Sequence, residues 1–119
     1  VPPPAPASRP GKGYFDQDVP AVARLLPQGR VTSYGAIARY LGAARSSRMV
    51  GWAMNRALEG KGANVPAHRV VNRQGLLTGR LHFPTPETMA DRLREEGVAV
   101  DGQQVVDFTE RYWDPSTEL

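Results

Sequence analysis

The sequence predicts a mostly α-helical fold with a small β element, organised around a helix-turn-helix of the winged-helix-like kind. Two segments with helical spacing of apolar residues, 31–42 (VTSYGAIARYLG) and 48–58 (RMVGWAMNRAL), are separated by a short turn. A third segment, 98–108 (VAVDGQQVVDF), contains the Asp-Gly pair that is typical of a β-hairpin turn.

The chain is expected to begin with a flexible tail and to continue as one domain. Residues 1–13 (VPPPAPASRPGKG) are rich in proline and have almost nothing to bury, whereas residues 14–119 are long enough for one core. The first helix is predicted from Asp16, because apolar residues recur at helical spacing up to Leu26. Pro20 is tolerable in the first turn of such a helix.

Capping residues are expected to bound both helices of the helix-turn-helix. Thr32 or Ser33 can cap the first helix, and Gly42 is suited to end it. Ser46 or Ser47 can cap the second helix. That helix is predicted to bury Val50, Ala53, Met54 and Ala57 and to expose Arg48, Gly51, Trp52 and Asn55.

The later segments carry weaker structural signals. Residues 65–80 alternate poorly and are predicted to be irregular, with a turn and a loop. Thr85 followed by Pro86 predicts the start of a helix that Gly97 ends. The hairpin is expected next, with Asp101 and Gly102 in its turn.

Two residues on the outer face of the second helix favour a ligand-binding role. Gly51 in a helix interior costs about 1 kcal/mol relative to alanine, and close approach of the backbone to a ligand or to DNA would offset that cost. Arg48 lies in the first turn, where a cation opposes the helix dipole.

Charge is divided unevenly along the chain. The formal net charge is only +3, yet residues 24–80 carry ten basic side chains and one acidic one. Residues 81–119 carry three arginines and nine acidic residues. A basic segment of this kind attracts a polyanion such as nucleic acid. The alternative explanation is a solvated face that keeps the protein soluble.

Composition also limits the chemistry of the chain. With no cysteine there is no disulfide, no thiolate nucleophile and no cysteine metal site. Two histidines are too few for a convincing metal centre, so we expect neither a metal nor a cofactor. No apolar run approaches the roughly 20 residues of a membrane span, and no signal peptide is recognisable. We therefore expect a cytoplasmic protein, associated with the bacterial nucleoid if it binds DNA.

The segment VPAHRVVN (65–72) raises the question of catalysis. His68 follows Ala67 directly, and a histidine beside a nucleophile is a common catalytic arrangement. Ala67, however, carries no nucleophile. The segment is therefore either a disarmed active site or a pocket that binds without reacting.

Four segments in order, GRVTSYGAIARYLG, RMVGWAM, PAHRVVN and REEGV, resemble the C-terminal domain of O6-alkylguanine-DNA alkyltransferases over about residues 13–113. In those enzymes the third motif is Pro-Cys-His-Arg-Val, and its cysteine accepts the alkyl group; here Ala67 occupies that position. The chain therefore resembles the alkyltransferase-like proteins. This resemblance implies the alkyltransferase C-terminal-domain fold and a non-enzymatic damage sensor that flips O6-alkylguanine from duplex DNA without alkyl transfer.

The resemblance also implies a mode of DNA binding. The helix of about residues 47–58 would enter the minor groove. Arg48 matches the arginine that fills the space left by the flipped nucleotide, and Tyr34 matches the tyrosine that crowds the neighbouring phosphate. Trp52 departs from the glycine usual in the enzymes. The DNA contacts implied are Tyr34, Ser47, Arg48, Gly51, Trp52 and Asn55.

A lesion pocket follows from the same resemblance. Ala67 would leave room for an alkyl substituent, and Arg80 matches a loop arginine that faces the base. His68 and Glu96 match the proton relay of the enzymes; without a thiol to deprotonate, we expect them to be a structural pair. The pocket residues implied are Tyr34, Val65, Pro66, Ala67, His68, Arg69 and Arg80. The implied partners of this expected monomer are lesion-containing duplex DNA and damage-recognition proteins of nucleotide excision repair.

Two other functions stay open at this level. The chain could be a true alkyltransferase whose acceptor cysteine has been replaced by alanine. It could also be a helix-turn-helix regulator that reads a DNA sequence. A regulator would need base-reading side chains on its second helix, and only Arg48, Asn55 and Arg56 are available there.

Overall fold

The computed structural model describes residues 12–42, 46–59 and 65–119, and in these ranges the predicted mostly α-helical fold with a small β element is confirmed. None of the helices described is both long enough and apolar enough to cross a membrane. The helices are α1 (Lys12–Ala23), α2 (Tyr34–Tyr40), α3 (Ser47–Glu59), α4 (Thr88–Glu95), α5 (Phe108–Arg111) and α6 (Pro115–Glu118). The strands are β1 (Thr32–Ser33), β2 (Val70–Val71), β3 (Val100–Asp101) and β4 (Gln104–Val105), and two short 3-10 helices cover Ala67–Arg69 and Arg80–His82.

The helix-turn-helix consists of α2 and α3, which pack against each other. Ser33 caps α2, because its hydroxyl oxygen accepts a hydrogen bond from the Ala36 N–H at 3.1 Å. After α2, Gly42 adopts a φ of +78°, a left-handed conformation that suits glycine and ends the helix. The turn at 43–45 lies outside the described residues. The predicted buried face of α3 is confirmed at Val50, Ala53 and Met54, while the Ala57 side chain lies outside the described residues.

The first helix begins earlier than predicted. The structure starts α1 at Lys12, so the predicted start at Asp16 is wrong, and residues 1–11 of the predicted tail lie outside the described residues. Pro20 therefore lies in the helix interior, where it removes one backbone hydrogen bond. Val19 and Val22 on either side of it are fully buried, and this packing offsets the loss.

A parallel strand pair connects the start of α2 with the segment that follows the first 3-10 helix. Thr32 pairs with Val70 and Ser33 pairs with Val71, and all four residues are buried. The prediction of an irregular segment over 65–80 is therefore wrong at Val70 and Val71. This pairing places the 67–69 turn beside the N-terminal end of the helix-turn-helix.

Two other predicted boundaries shift by a few residues. Helix α4 begins at Thr88 rather than at Thr85–Pro86, because Thr85 and Thr88 hydrogen-bond through their hydroxyl oxygens at 2.8 Å in the preceding turn. The hairpin of β3 and β4 is confirmed, but Asp101 pairs with Gln104, so Gly102 and Gln103 form the turn. Gly102 has a φ of +63°, which explains a glycine there.

The core holds α3 so that one of its faces is buried and the other remains at the surface. Helices α1 and α2 both pack against α3. The largest fully buried side chains come from α2 and its C-cap residue, from α4 and from the loop between β2 and α4; they include Ile37, Leu41, Leu77, Met89 and Leu93.

Candidate nucleic-acid interface

The outer face of α3 forms one wall of a groove of about 340 Å³. Arg48 and Trp52 are exposed on this face, Trp52 to 53% of its surface, and Gly51 and Asn55 are partly buried. Tyr34 and the loop before α4 form the opposite wall. The groove is lined by Tyr34, Ser47, Arg48, Gly51, Trp52, Asn55, Thr78, Gly79 and His82. It thus brings together all six residues for which the sequence implied DNA contact.

The packing of the protein does not require a glycine at position 51. A Cβ atom built there would lie 3.9 Å from Cδ1 and Cε1 of Tyr34, which is an ordinary van der Waals contact. The backbone of Gly51 does not have a positive φ either. The absence of a side chain therefore serves to leave the helix backbone open to the groove.

Tyr34 lies between α3 and the loop. The Thr78 side chain lies beside its hydroxyl group, and both residues line the groove. The hydroxyl oxygen also lies 2.9 Å from the position that a Cβ atom on Gly79 would occupy. Burial raises the pKa of the Tyr34 phenol, and the Thr78 side chain opposes that shift only in part. The phenol is therefore uncharged at neutral pH and can act through its bulk and its hydroxyl group.

Arg80 begins the second 3-10 helix, next to the groove residue Gly79. Its side chain is partly buried, and Nη1 donates a hydrogen bond to the Leu77 carbonyl oxygen at 3.1 Å. Arg80 is not among the residues that line the groove. In this conformation the guanidinium is folded back onto its own loop.

A second cavity, of about 800 Å³, lies at the 67–69 turn. Val65, Pro66, His68 and Arg69 line it, together with side chains of α4 and of the segment after α1. Tyr34 and Arg80 do not line this cavity, so the structure does not gather all the residues of the implied lesion pocket around one space. Ala67 is 5% exposed and contributes to the core.

Glu96, directly after α4, joins three parts of the fold. Its Oε2 accepts hydrogen bonds from His68 Nε2 and from Arg69 Nη2, both at 2.7 Å. Its Oε1 accepts from Arg69 Nε at 3.0 Å and from the Gly29 N–H at 3.1 Å. Arg69 Nη1 also donates to the Leu26 carbonyl oxygen at 2.9 Å. The predicted contact between His68 and Glu96 is therefore present, and Arg69 joins it as an ion-pair partner.

Burial and hydrogen bonding fix the charge of this cluster. Burial on its own would raise the pKa of Glu96, but hydrogen bonds from Arg69, His68 and Gly29 outweigh it and lower the pKa to about 2. Burial also lowers the pKa of His68, against the opposing effect of Glu96. Because burial prevails, the contact is a hydrogen bond from a neutral imidazole Nε2–H to a carboxylate. The lone pair of His68 Nδ1 is buried without a hydrogen-bond partner among the described residues.

This arrangement holds a pocket wall in place and offers no nucleophile. A neutral histidine with a free, basic Nδ1 could accept a proton, but Ala67 beside it has none to give. The described residues also hold no group of three or more histidine or carboxylate side chains suited to a metal ion.

Sequence reasoning missed the residues whose partners are distant in the chain. Thr78 was not singled out, because nothing local indicates that its hydroxyl meets Tyr34. Gly29 is a second such residue: it has a φ of +84°, and its N–H donates to Glu96, which is 67 positions away in the chain. The turn sequence Pro-Gln-Gly was the available signal for that backbone conformation.

Comparison with known proteins places the chain among proteins that act on DNA. The family model of the DNA-binding domain of 6-O-methylguanine DNA methyltransferase matches residues 14–98. The DNA base-flipping protein of Escherichia coli K12 is 36% identical over 99 residues, which cover 83% of this chain and 74% of that protein. Alkyltransferase-like protein 1 of Schizosaccharomyces pombe is 36% identical over 94 residues, covering 76% of this chain and 85% of that protein.

The fold agrees with a solved relative. The crystal structure of S. pombe Atl1 in complex with damaged DNA containing O6-carboxymethylguanine superposes with a TM-score of 0.74 at 34% sequence identity. The match covers 87% of this chain and 97% of that one.

Proposed function

Because this chain belongs to the family of the 6-O-methylguanine DNA methyltransferase DNA-binding domain, we propose that it is a non-enzymatic sensor of alkylated DNA. It binds duplex DNA through the minor groove, flips O6-alkylguanine out of the base stack, and holds it without transferring the alkyl group. The observation that carries this proposal is the combination of an exposed Arg48, an open Gly51 and a Tyr34 wall in one groove with an alanine at the acceptor position.

The relatives support this function in two respects. One is named a DNA base-flipping protein, and another has been crystallised with DNA that contains an O6-alkylated guanine. The charge of this chain is consistent with such a ligand, because its basic residues are concentrated in the segment 24–80 that builds the groove. Lysine and arginine contacts to phosphates supply most of the sequence-independent affinity for DNA.

Each groove residue has a physical role in the proposal. Arg48 enters the base stack from the first turn of α3 and offsets part of the few kcal/mol that unstacking a base costs. Gly51 allows the helix backbone to approach the DNA closely. Tyr34 crowds the phosphate beside the lesion and favours rotation of that nucleotide. Ser47, Trp52 and Asn55 complete the contact surface.

The flipped base would enter beside Ala67, with Val65, Pro66, His68 and Arg69 as supporting residues. Replacing a thiol with a hydrogen on Cβ leaves room for an alkyl substituent there. Arg80 would contact the guanine edge or stack on its face after its side chain leaves the Leu77 carbonyl. The cluster around Glu96 keeps the 67–69 turn fixed while the base enters.

The biological setting rests on the family resemblance. We propose that the bound lesion is passed to damage-recognition proteins of nucleotide excision repair, and that the protein acts as a monomer on nucleoid DNA in the cytoplasm. Co-purification of such proteins on lesion-containing DNA, but not on matched undamaged DNA, would test the handover.

The proposed lesion preference is tested by competition binding at physiological salt. One duplex carries a single O6-methylguanine and the other carries guanine at the same position. We expect a clear preference for the lesion duplex. Equal binding to both would contradict the proposal and would favour a regulator that reads DNA sequence.

A further inference from the structure

Tyr34 is held from the side of the loop as well as from the side of α3. Its ring carbons lie at van der Waals distance from the Cβ position of Gly51, and its hydroxyl group meets Thr78 and Gly79. We propose that Thr78 and Gly79 are positioning residues for Tyr34, which set the preference for damaged over undamaged DNA by fixing the phenol ring before DNA binds. This inference rests on the proposed function, because it assigns the residues that orient the nucleotide-rotating side chain.

Gly79 is a glycine because of Tyr34. Its backbone has a φ of −84° and a ψ of 3°, which any residue can adopt, so the turn itself does not demand glycine. A Cβ atom at this position would meet one atom within 4 Å, the Tyr34 hydroxyl oxygen, at 2.9 Å. The missing side chain therefore makes the space in which the Tyr34 hydroxyl lies.

Thr78 is placed to supply a hydrogen bond to this hydroxyl. The residue is exposed, and its side chain lines the groove beside the Tyr34 phenol, where it lowers the pKa of that phenol. The backbone around it is fixed: Leu77 N–H donates to the Gln103 carbonyl oxygen at 2.9 Å, and Thr78 N–H donates to the Leu76 carbonyl oxygen at 3.0 Å. The hairpin thus anchors the loop, and the loop anchors the ring.

A ring fixed in advance loses less conformational freedom when it crowds the phosphate of a flipped nucleotide, and this strengthens binding to the flipped lesion more than to stacked, undamaged DNA. A hydrogen bond between neutral groups contributes enough to change an equilibrium by about fivefold. Arg80 follows Gly79 in the same loop. The position of this loop relative to Tyr34 therefore also sets where a flipped base would meet Arg80.

The first experiment compares Thr78→Val with Thr78→Ser. Valine keeps the size of threonine and removes the hydroxyl, whereas serine keeps the hydroxyl. In the free protein, NMR relaxation of Cζ-labelled tyrosine should show a more mobile Tyr34 phenol in Thr78→Val and wild-type behaviour in Thr78→Ser. Unchanged mobility of the Tyr34 phenol in Thr78→Val would overturn the positioning role, whether or not the protein recognises lesions.

The second experiment measures the ratio of affinities for the O6-methylguanine duplex and the guanine duplex. We expect Thr78→Val to reduce this ratio by about fivefold and Thr78→Ser to retain it. In a Tyr34→Phe background, Thr78→Val should have no further effect, because no phenol hydroxyl remains to be held. An equal loss in both backgrounds would show that Thr78 acts on DNA directly and would overturn the inference.

Gly79→Ala provides an independent test of the same idea. The added methyl group should displace the Tyr34 hydroxyl and reduce the affinity ratio. It should be tolerated in the Tyr34→Phe background, where the hydroxyl is absent; a loss of equal size in that background would contradict the role of Gly79. Absence of any lesion preference in the wild-type protein would instead refute the proposed function, and the mobility of the Tyr34 phenol in the free protein would still decide the positioning role.

Discussion

At the scale of single residues, Arg48 and Gly51 are both unfavourable for the helix that contains them. A cation in the first turn of α3 opposes the helix dipole, and a glycine in the interior loses backbone entropy on folding. The structure offsets neither cost, since Arg48 forms no ion pair with any described residue and the space at Gly51 would accept a methyl group. Both residues are therefore better explained by a ligand in the groove than by the fold.

Replacing Gly51 should change folding stability and DNA affinity in opposite directions. Gly51→Ala is expected to stabilise the free protein by up to about 1 kcal/mol, because alanine is the better helix former and has room beside Tyr34. It should also weaken binding to the lesion duplex several-fold, because the methyl group keeps DNA away from the helix backbone. Urea unfolding and fluorescence anisotropy measure the two effects, and unchanged DNA affinity would contradict the close approach.

Arg48→Ala should lower affinity for the lesion duplex by tenfold or more, which corresponds to at least about 1.4 kcal/mol. The matched control is Arg73→Ala, which removes an equal charge from an exposed residue that lines neither the groove nor the second cavity. If Arg48 fills the space left by the flipped base, its loss should exceed that of the control. Equal losses of affinity in the two variants would show that Arg48 contributes only electrostatic attraction to the DNA.

At the scale of elements, structure that depends on neighbouring residues was predicted better than structure that depends on residues far apart in the chain. Helices α2 and α3 were predicted because their caps, apolar spacing and Gly42 lie within a few residues of one another. The pairing of β1 with β2 was missed, because each strand has two residues and the partners are far apart in the chain. For the same reason six of the nine groove residues could be predicted from one helix and a family motif, while Thr78 and Gly79 could not.

Helix α3 carries a built-in reporter of DNA binding. The chain has two tryptophans; Trp113 is 5% exposed, whereas Trp52 is 53% exposed in the groove. Duplex DNA should therefore change the fluorescence of Trp52 and leave that of Trp113 nearly constant. Trp52→Phe should abolish the DNA-dependent change, and a change that persists in this variant would place the DNA elsewhere on the surface.

The Glu96 cluster should make folding stability depend on pH in the acidic range. The folded-state pKa of Glu96, about 2, is below its ordinary value of 4.5, so its stabilising contribution is complete above pH 4.5 and is lost as the pH falls toward 2. That contribution is on the order of 3 kcal/mol. The pKa of His68 is also lowered in the folded state, so protonation of this histidine destabilises the fold as the pH falls below 6.5.

Glu96→Gln tests this account by urea unfolding at several pH values. The variant should lose on the order of 3 kcal/mol at pH 7 and show a weaker pH dependence between pH 4.5 and pH 2. Glu95→Gln, which removes the adjacent exposed carboxylate, serves as the control. Equal pH profiles for wild type and Glu96→Gln would contradict the role of the cluster.

At the scale of the whole molecule, the groove and the carboxylate that supports the 67–69 turn come from different parts of the chain. The basic segment 24–80 contributes every residue of the groove except His82, whereas the acidic segment 81–119 contributes Glu96, which fixes the 67–69 turn from behind. His68 keeps its carboxylate partner, yet Ala67 provides nothing for this pair to activate. The turn at 67–69 therefore carries a histidine–carboxylate pair with no nucleophile beside it.

The most direct test of this account is the fate of the alkyl group in the bound complex. Protein and an O6-methylguanine duplex are mixed in equal amounts until binding is complete, after which the intact protein mass and the amount of O6-methylguanine in the DNA are measured. The account predicts an unchanged protein mass and full recovery of the lesion from the complex. A protein that is heavier by one methylene group, with a matching loss of lesion, would contradict it.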